Sequence, residues 1–326
     1  MRPPPTPPPA RRVLAAVVLA VAAAVLGSCA LTPVVPLGTP TATPSAPRSA
    51  MPSQSESPPA TPTPPPSPTP GPTSQAATTP ATNLSELDAE LATLERQSGA
   101  RLGIAVTALG GGPAHQLGTL STGVAWSTAK VPLALAAMAD RPGEPTTSLV
   151  RRAIRSSDNE AAEALWQDWS DPTRAAGRVT EVLRDGGDRR TVVPDVRRRA
   201  PWSIYGQTEW RLDDQATFTA RLPCLAGGEQ LMAEMAQVDD GQRWGFAASA
   251  LPDSVTAAVK GGWGPGPDGG YLVRQLAIVA WGDGTRVAVA LAAEPDSGTY
   301  ADGTVALDRL AAWALAHVEV APADGC

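Results

Sequence analysis

Lysine is nearly missing from this chain. Of 26 basic side chains only Lys130 and Lys260 are lysines, and the other 24 are arginines. Histidine occurs twice, as His115 and His317, asparagine twice, as Asn83 and Asn159, and cysteine three times, as Cys29, Cys224 and Cys326. These scarcities exclude several classes of chemistry. No Cys/His cluster offers metal-ligand spacing, so neither a metal nor another cofactor is expected. There is no G-x-S-x-G, which argues against a Ser-His-Asp hydrolase. His115, in a loop after the first strand, and His317, at the end of the last helix, read as structural or surface residues. With a net charge of -6 and no basic cluster beyond residues 197–199, the chain is a poor partner for nucleic acid.

Proline is abundant but unevenly placed, with 22 of 35 before Asn83. Residues 1–28 read as an export signal. Arg2, Arg11 and Arg12 form the basic region, and residues 13–26 form an apolar run shorter than the roughly 20 residues of a membrane span. Leu26-Gly27-Ser28-Cys29 resembles a lipobox, with Cys29 as the lipidated residue. The alternatives are an ordinary signal peptide with a nearby cysteine and an uncleaved anchor. Residues 29–82, rich in Pro, Thr, Ser and Ala, cannot bury enough apolar surface to order themselves. As an extended tether, about 50 such residues reach on the order of 150 Å, unless they are a glycosylated or plain spacer. The expected place is the outer face of the cell membrane, held there by the lipid. In that oxidising compartment Cys224 and Cys326 form either one disulfide or two free thiols.

Residues 83–326 are left as one domain. Leu84, Leu87, Leu91 and Leu94 mark a first helix closed by Gly99. A strand over 101–109 turns at Gly110–Gly112 into a second short strand. The helical run 126–138 is apolar on all sides except at Lys130, which predicts a buried central helix. Helical stretches follow at 147–155, 159–169 and 173–185. Strands are expected at 255–260, 271–281 and 286–293, the last two joined by Gly282-Asp283-Gly284, and a final helix at 304–318. This order predicts an α/β (α+β) domain: a mostly antiparallel five-stranded sheet carrying the terminal helices, with an all-helical subdomain inserted between strands two and three. The seam between the two parts is a natural ligand cleft.

Three short motifs occur in order: Ser127-Thr128-Ala129-Lys130, Ser157-Asp158-Asn159 and Lys260-Gly261-Gly262. Both lysines of the chain fall inside them, as does one of its two asparagines. Arginine keeps its proton in a protein whereas a buried lysine can lose it, so lysine stands where a base is needed. Ser127 opens the buried helix at the positive end of its dipole. Lys130, one turn on, lies within reach of the hydroxyl and is expected to accept its proton. Ser157 faces them from a loop as a proton relay, and Asp158 reads as structural. Asn159 is placed to bond a substrate amide, and Lys260 to supply positive charge to Ser157 and to a substrate carboxylate. Gly262 and Trp263 are further candidate substrate-binding residues, and the N–H groups of Ser127 and Trp263 form a candidate oxyanion hole. Each motif also has a bland reading: a helix N-cap with a buried lysine, a cap for the helix from Asn159, and a strand end with its turn.

The S-x-x-K, S-D-N and K-T-G set of these motifs resembles the penicillin-recognising serine hydrolases, the class A β-lactamases and penicillin-binding proteins. The resemblance covers most of residues 84–320. It implies an acyl-enzyme on Ser127, a small-molecule or peptidoglycan-like substrate and a monomer. Three departures stand out. Ser127 and Ser157 are 30 residues apart, roughly half the class A spacing, so the helical subdomain is expected to be trimmed. The loop that carries the family's deacylating glutamate falls near 191–197, where Val193 takes the glutamate position and Asp195 is the near carboxylate. Glu209, in Glu209-Trp210-Arg211-Leu212-Asp213, comes too late and reads as a helix start. Gly261 stands where the family has Thr or Ser, and losing a hydroxyl bond to a carboxylate costs about 1.5–3 kcal/mol. The expected activity is therefore an envelope serine hydrolase that deacylates β-lactams poorly. The alternative is a binding lipoprotein that keeps the fold around a weak or inactive site.

Overall fold

The structure, a computed structural model, describes residues 84–248, 251–266 and 269–317. The expectations for the signal, the tether and the lipidation of Cys29 lie outside the described residues, and so does Cys326. Cys224 is disulfide-bonded.

The chain opens with α1 (Leu84–Ser98), β1 (Ala100–Ala108), β2 (His115–Leu117) and β3 (Thr122–Val124). A helical block follows: α2 (Lys130–Asp140), α3 (Thr146–Arg155), α4 (Asn159–Gln167) and α5 (Pro172–Asp185). Next come β4 (Glu209–Arg211), α6 (Leu212–Arg221) and α7 (Gly228–Met235). The chain closes with β5 (Val255–Pro265), β6 (Tyr271–Trp281), β7 (Arg286–Pro295) and α8 (Tyr300–His317). Five strands form one sheet in the order β2-β1-β7-β6-β5, and each adjacent pair is antiparallel. This is the α+β architecture expected from the pattern.

The sheet is buried on both faces, which explains why its central strands read as continuous apolar runs. On β7, Val287, Val289, Leu291 and Ala293 pack with α1 and α8, through Leu91, Leu307 and Leu310. Ala288, Ala290 and Ala292 point the other way, toward α6 and the helical block. That is the two-residue alternation of a strand. In the helical block α2 is the axis, and Lys130 through Ala137 are all buried.

Three local expectations are corrected. Lys260 lies inside β5 and not at its end, because the strand runs on through Gly261, Gly262 and Gly264 to Pro265, which pairs with Tyr271. Glycine lowers strand propensity, and here the ladder with β6 overrides it. Glu209 begins no helix: it belongs to β4, which pairs with β3 in a small second sheet, and the helix starts three residues later. His115 starts β2 and is not in a loop.

Asp158 caps α4 as expected, accepting from Glu160 N at 2.9 Å and Ala161 N at 3.0 Å while Arg152 donates to its other oxygen. Replacing a capping carboxylate costs about 1 kcal/mol and up to about 2. Asp158→Ala should lower unfolding stability by that amount in urea titrations, with the denaturant slope unchanged.

Candidate active site

Ser127 sits in a turn that the backbone would not adopt unaided. Trp126–Ala129 form one turn of 3-10 helix leading into α2, and Trp126 has φ of 50°. For a non-glycine residue a left-handed backbone costs roughly 1–2 kcal/mol, so neighbours must hold it. Ala125 N donates to Thr208 O at 2.7 Å. The N–H and hydroxyl of Thr128 both donate to Ala125 O, at 3.1 and 2.6 Å. Gln215 Nε2 donates to Thr128 Oγ1 at 3.0 Å. Fully buried Arg274 donates to Gln215 Oε1 at 2.9 Å, to Gly123 O at 2.8 Å and to Trp210 O at 3.1 Å. On its other side β5 presses in. A Cβ at Gly262 would lie 2.8 Å from Ala125 O and 2.9 Å from Ser127 N. Gly262 is thus the close-approach point of β5 and the Ser127 turn, and it is not among the residues that line the cleft, where it was expected as a substrate-binding residue.

The second motif lies between α3 and α4. Ser157, also left-handed at φ of 56°, is buried with its hydroxyl between the two lysines. Lys260 Nζ donates to Ser157 Oγ at 2.9 Å and to Gly261 O at 2.9 Å. Lys130 Nζ donates to Ser157 O at 2.5 Å and Asn159 Oδ1 at 2.8 Å, with Ser157 Oγ 3.4 Å away. The expected contact between Lys130 and the Ser127 hydroxyl is replaced by these bonds. A 1% exposed ammonium is better satisfied by carbonyl and amide oxygens than by a hydroxyl. Lys260, 0% exposed, stands behind Ser157 and does not reach the cleft, contrary to its expected role on a substrate carboxylate.

Both amines lose basicity. Burial pulls Lys130 down to about 7, opposed in part by the Asp158 carboxylate. Burial, and then the charge of Lys130, hold Lys260 well below the ordinary lysine range. Two ammonium groups around one hydroxyl repel each other, so the trio favours a state in which a proton is missing.

A cleft of about 700 Å³ opens over this trio. Trp126, Ser127, Lys130, Ser157, Asn159 and Trp263 line it, with Glu160 and Glu163 from α4 and Arg197, Pro201, Trp202, Ser203 and Tyr205 from the loop after α5. The cleft-facing stretch of that loop is therefore 197–205, six residues later than the spacing suggested, and it carries no carboxylate. Val193 is drawn into the core at 5% exposure, with its N–H on Thr180 Oγ1. Asp195 accepts from Thr173 Oγ1 at the surface. Neither they nor Glu209, His115 or His317 line the cleft. Among the described residues no group of His, Cys, Asp and Glu is placed to hold a metal ion.

Some residues of the site were not singled out from the sequence. Glu163 follows Asn159 by one helical turn, a spacing that could have placed it on the same face. Gln215 lies 87 positions from Thr128, and nothing in the sequence joins them.

No family model matches the chain, and no curated protein does. Solved structures do. The TLA-3 extended-spectrum β-lactamase superposes with a TM-score of 0.59 at 13% identity, over 72% of this chain and 99% of that one. A class A β-lactamase from Mycobacterium abscessus gives 0.57 at 18%, over 70% and 98%. The chromosome-encoded β-lactamase of Vibrio parahaemolyticus gives 0.56 at 15%, over 71% and 98%. The chain has the class A β-lactamase fold. At such identities the likeness is one of fold, and the chemistry of this β-lactamase-like domain has to be argued from its own residues.

If neutral Lys130 takes the proton of Ser127, labelling of Ser127 should rise about tenfold per pH unit below about 7 and level off above it. The sign follows from the direction of the shift: the active form is the deprotonated one. The check is the second-order rate of labelling by an uncharged phosphonate, read by intact mass. A profile flat through this range would remove Lys130 as the base.

Proposed function

We propose that this domain is an acyl-serine hydrolase of the cell envelope, anchored by lipid at Cys29, monomeric, and acting on a small or peptidoglycan-like ester or amide. The observation that carries this reading is the position of Ser157 Oγ, 2.9 Å from Lys260 Nζ and 3.4 Å from Lys130 Nζ, beneath the cleft that Ser127 lines. A fold has no structural use for its only two lysines buried around one hydroxyl, because each loses solvation there and an apolar pair would be at least as stable.

In this mechanism neutral Lys130 turns its lone pair from its bonds with Ser157 and Asn159 toward Ser127, and Ser127 Oγ attacks the carbonyl carbon while Lys130 Nζ accepts its proton. The N–H groups of Ser127 and Trp263 receive the developing oxyanion. Ser157, bonded to both lysines, passes a proton to the departing nitrogen or oxygen, and the carbonyl–leaving-group bond breaks. Asn159, whose Oδ1 already accepts from Lys130, keeps its amide N–H groups for the acyl side of the substrate. Water then releases the acyl group from Ser127. The loop facing the cleft supplies no carboxylate for that step, and the carboxylates of the lining, Glu160 and Glu163, come from α4 instead; with the loop's base missing, a β-lactam acyl-enzyme is expected to be long-lived. The same feature favours a second reading, a lipoprotein that binds an envelope ligand in this cleft without turning it over.

The two readings separate in one experiment. The full chain in detergent is incubated with a penicillin and, in parallel, with an uncharged serine-reactive phosphonate, and intact mass is followed. An adduct that Ser127→Ala abolishes and Lys130→Ala slows by about 100-fold or more supports the hydrolase. No adduct with either reagent leaves the binding reading. Anchoring is tested separately: labelled palmitate should enter the wild-type chain in bacteria and not Cys29→Ala.

A further inference from the structure

The cleft's edge along β5 has an unusual construction. Side chains that leave β5 on the same side as Lys260 meet the nucleophile turn and Ser157. Those on the other side begin with Gly261, and there is no room for anything larger. A Cβ at Gly261 would stand 2.5 Å from Cη2 of the Trp244 indole. Trp244 is 5% exposed and firmly held. Gln275, the β6 partner of Gly261, donates from Nε2 to Trp244 O at 2.7 Å and accepts from Phe246 N at 2.9 Å. Asp308 of α8 accepts from Gly245 N at 2.5 Å. Two residues along β5, Trp263 lines the cleft. It packs edge-on against Trp244, with centroids 6.1 Å apart, and at a tilt on Tyr300, at 5.4 Å. Across the opening Trp126 and Trp202 meet edge to face at 5.2 Å.

Charge points the same way. Lys260 is sealed behind Ser157, and Lys130 is committed to Ser157 and Asn159. The remaining cation of the lining, Arg197, donates to the carbonyls of Pro201 and Trp202 on its own loop. Glu160 and Glu163 add negative charge. A carboxylate laid against the β5 edge would lose water and find indole in place of a hydroxyl or ammonium, which is costly. A flat uncharged group would find aromatic faces.

We propose that this cleft takes acyl donors that lay an uncharged aromatic or other flat apolar group on Trp263, and that Trp244, by filling the Gly261 side of β5, sets this preference against donors with a carboxylate there. The inference rests on the acyl-serine reading and names its substrate class. In the reaction Ser127 Oγ bonds to the acyl carbon, the bond to the leaving group breaks, and the leaving group departs with the proton passed through Ser157.

The test uses the full chain and three phenylacetylglycyl thioesters that differ only at the end of the leaving group: free carboxylate, methyl ester and benzyl ester. Loss of thioester and intact mass give kcat/KM for acylation of Ser127. The benzyl ester should exceed the carboxylate by tenfold or more, with the methyl ester between. Trp263→Ala should bring the ratio close to one. The pair Trp244→Ala with Gly261→Thr should move it toward the carboxylate by tenfold or more. The wild-type ratio decides even if a variant fails to fold. A ratio near one, or in favour of the carboxylate, while a phosphonate still labels Ser127, overturns this inference alone. If neither thioester nor phosphonate labels Ser127, the acyl-serine reading falls and takes the inference with it.

Discussion

Two amines share one serine hydroxyl in the interior of this domain, and much of the surrounding structure serves to keep them there. Lys130 comes from the first turn of a helix buried from Lys130 to Ala137, Lys260 from the middle of a strand buried on both faces, and Ser157 from a loop with a left-handed backbone. Each amine is desolvated, and each raises the cost of charging the other. Such a group survives only if acceptors are supplied. Here Ser157 O and Asn159 Oδ1 serve Lys130, and Ser157 Oγ and Gly261 O serve Lys260. The reward is a lysine that deprotonates near neutrality beside a serine.

The turn that carries Ser127 has the same character. Trp126 holds an unfavourable φ, and the chain of bonds from Arg274 through Gln215 and Thr128 to Ala125 O connects that strain to β6, to α6 and, through the carbonyls of Gly123 and Trp210, to the small β3–β4 sheet. This gives the second sheet a purpose. It is too short to be stable alone, yet it fixes carbonyls that a buried guanidinium needs. The site is therefore held by elements far apart in the chain, and local deformation of the turn is resisted from three sides.

The parts of this that were legible in sequence are those set by period and by scarcity. Buried strands show as apolar runs and amphipathic helices as stripes, so the sheet, the terminal helices and α3 to α5 could be placed before their packing was known. Lysine, absent elsewhere in the chain, pointed to the candidate site. What could not be read was tertiary. The continuation of β5 past Lys260 depends on β6, not on its own glycines. The choice of Lys130 for Ser157 and Asn159 over Ser127 depends on which oxygens burial brings close. The cleft-facing part of the loop after α5 was placed six residues early. Spacing alone does not record how much of a loop is spent in the core, as Val193 is.

Glycine and tryptophan together account for the shape of the cleft edge. Along β5 the side-chain space of Gly261 is taken by Trp244, that of Gly262 by the backbone before and after Trp126, and that of Gly264 by the Trp126 ring. Only Gly262 is required by the close approach of β5 to the Ser127 turn. At Gly261 and Gly264 a side chain has been given up so that an indole can lie on the strand. A chain with nine tryptophans and two phenylalanines thus uses its largest rings where its strand is barest. Lys260 lies on one side of β5 and the pair Trp244 and Trp263 on the other, so under the proposed function substrate preference could change on the second side without disturbing proton transfer on the first.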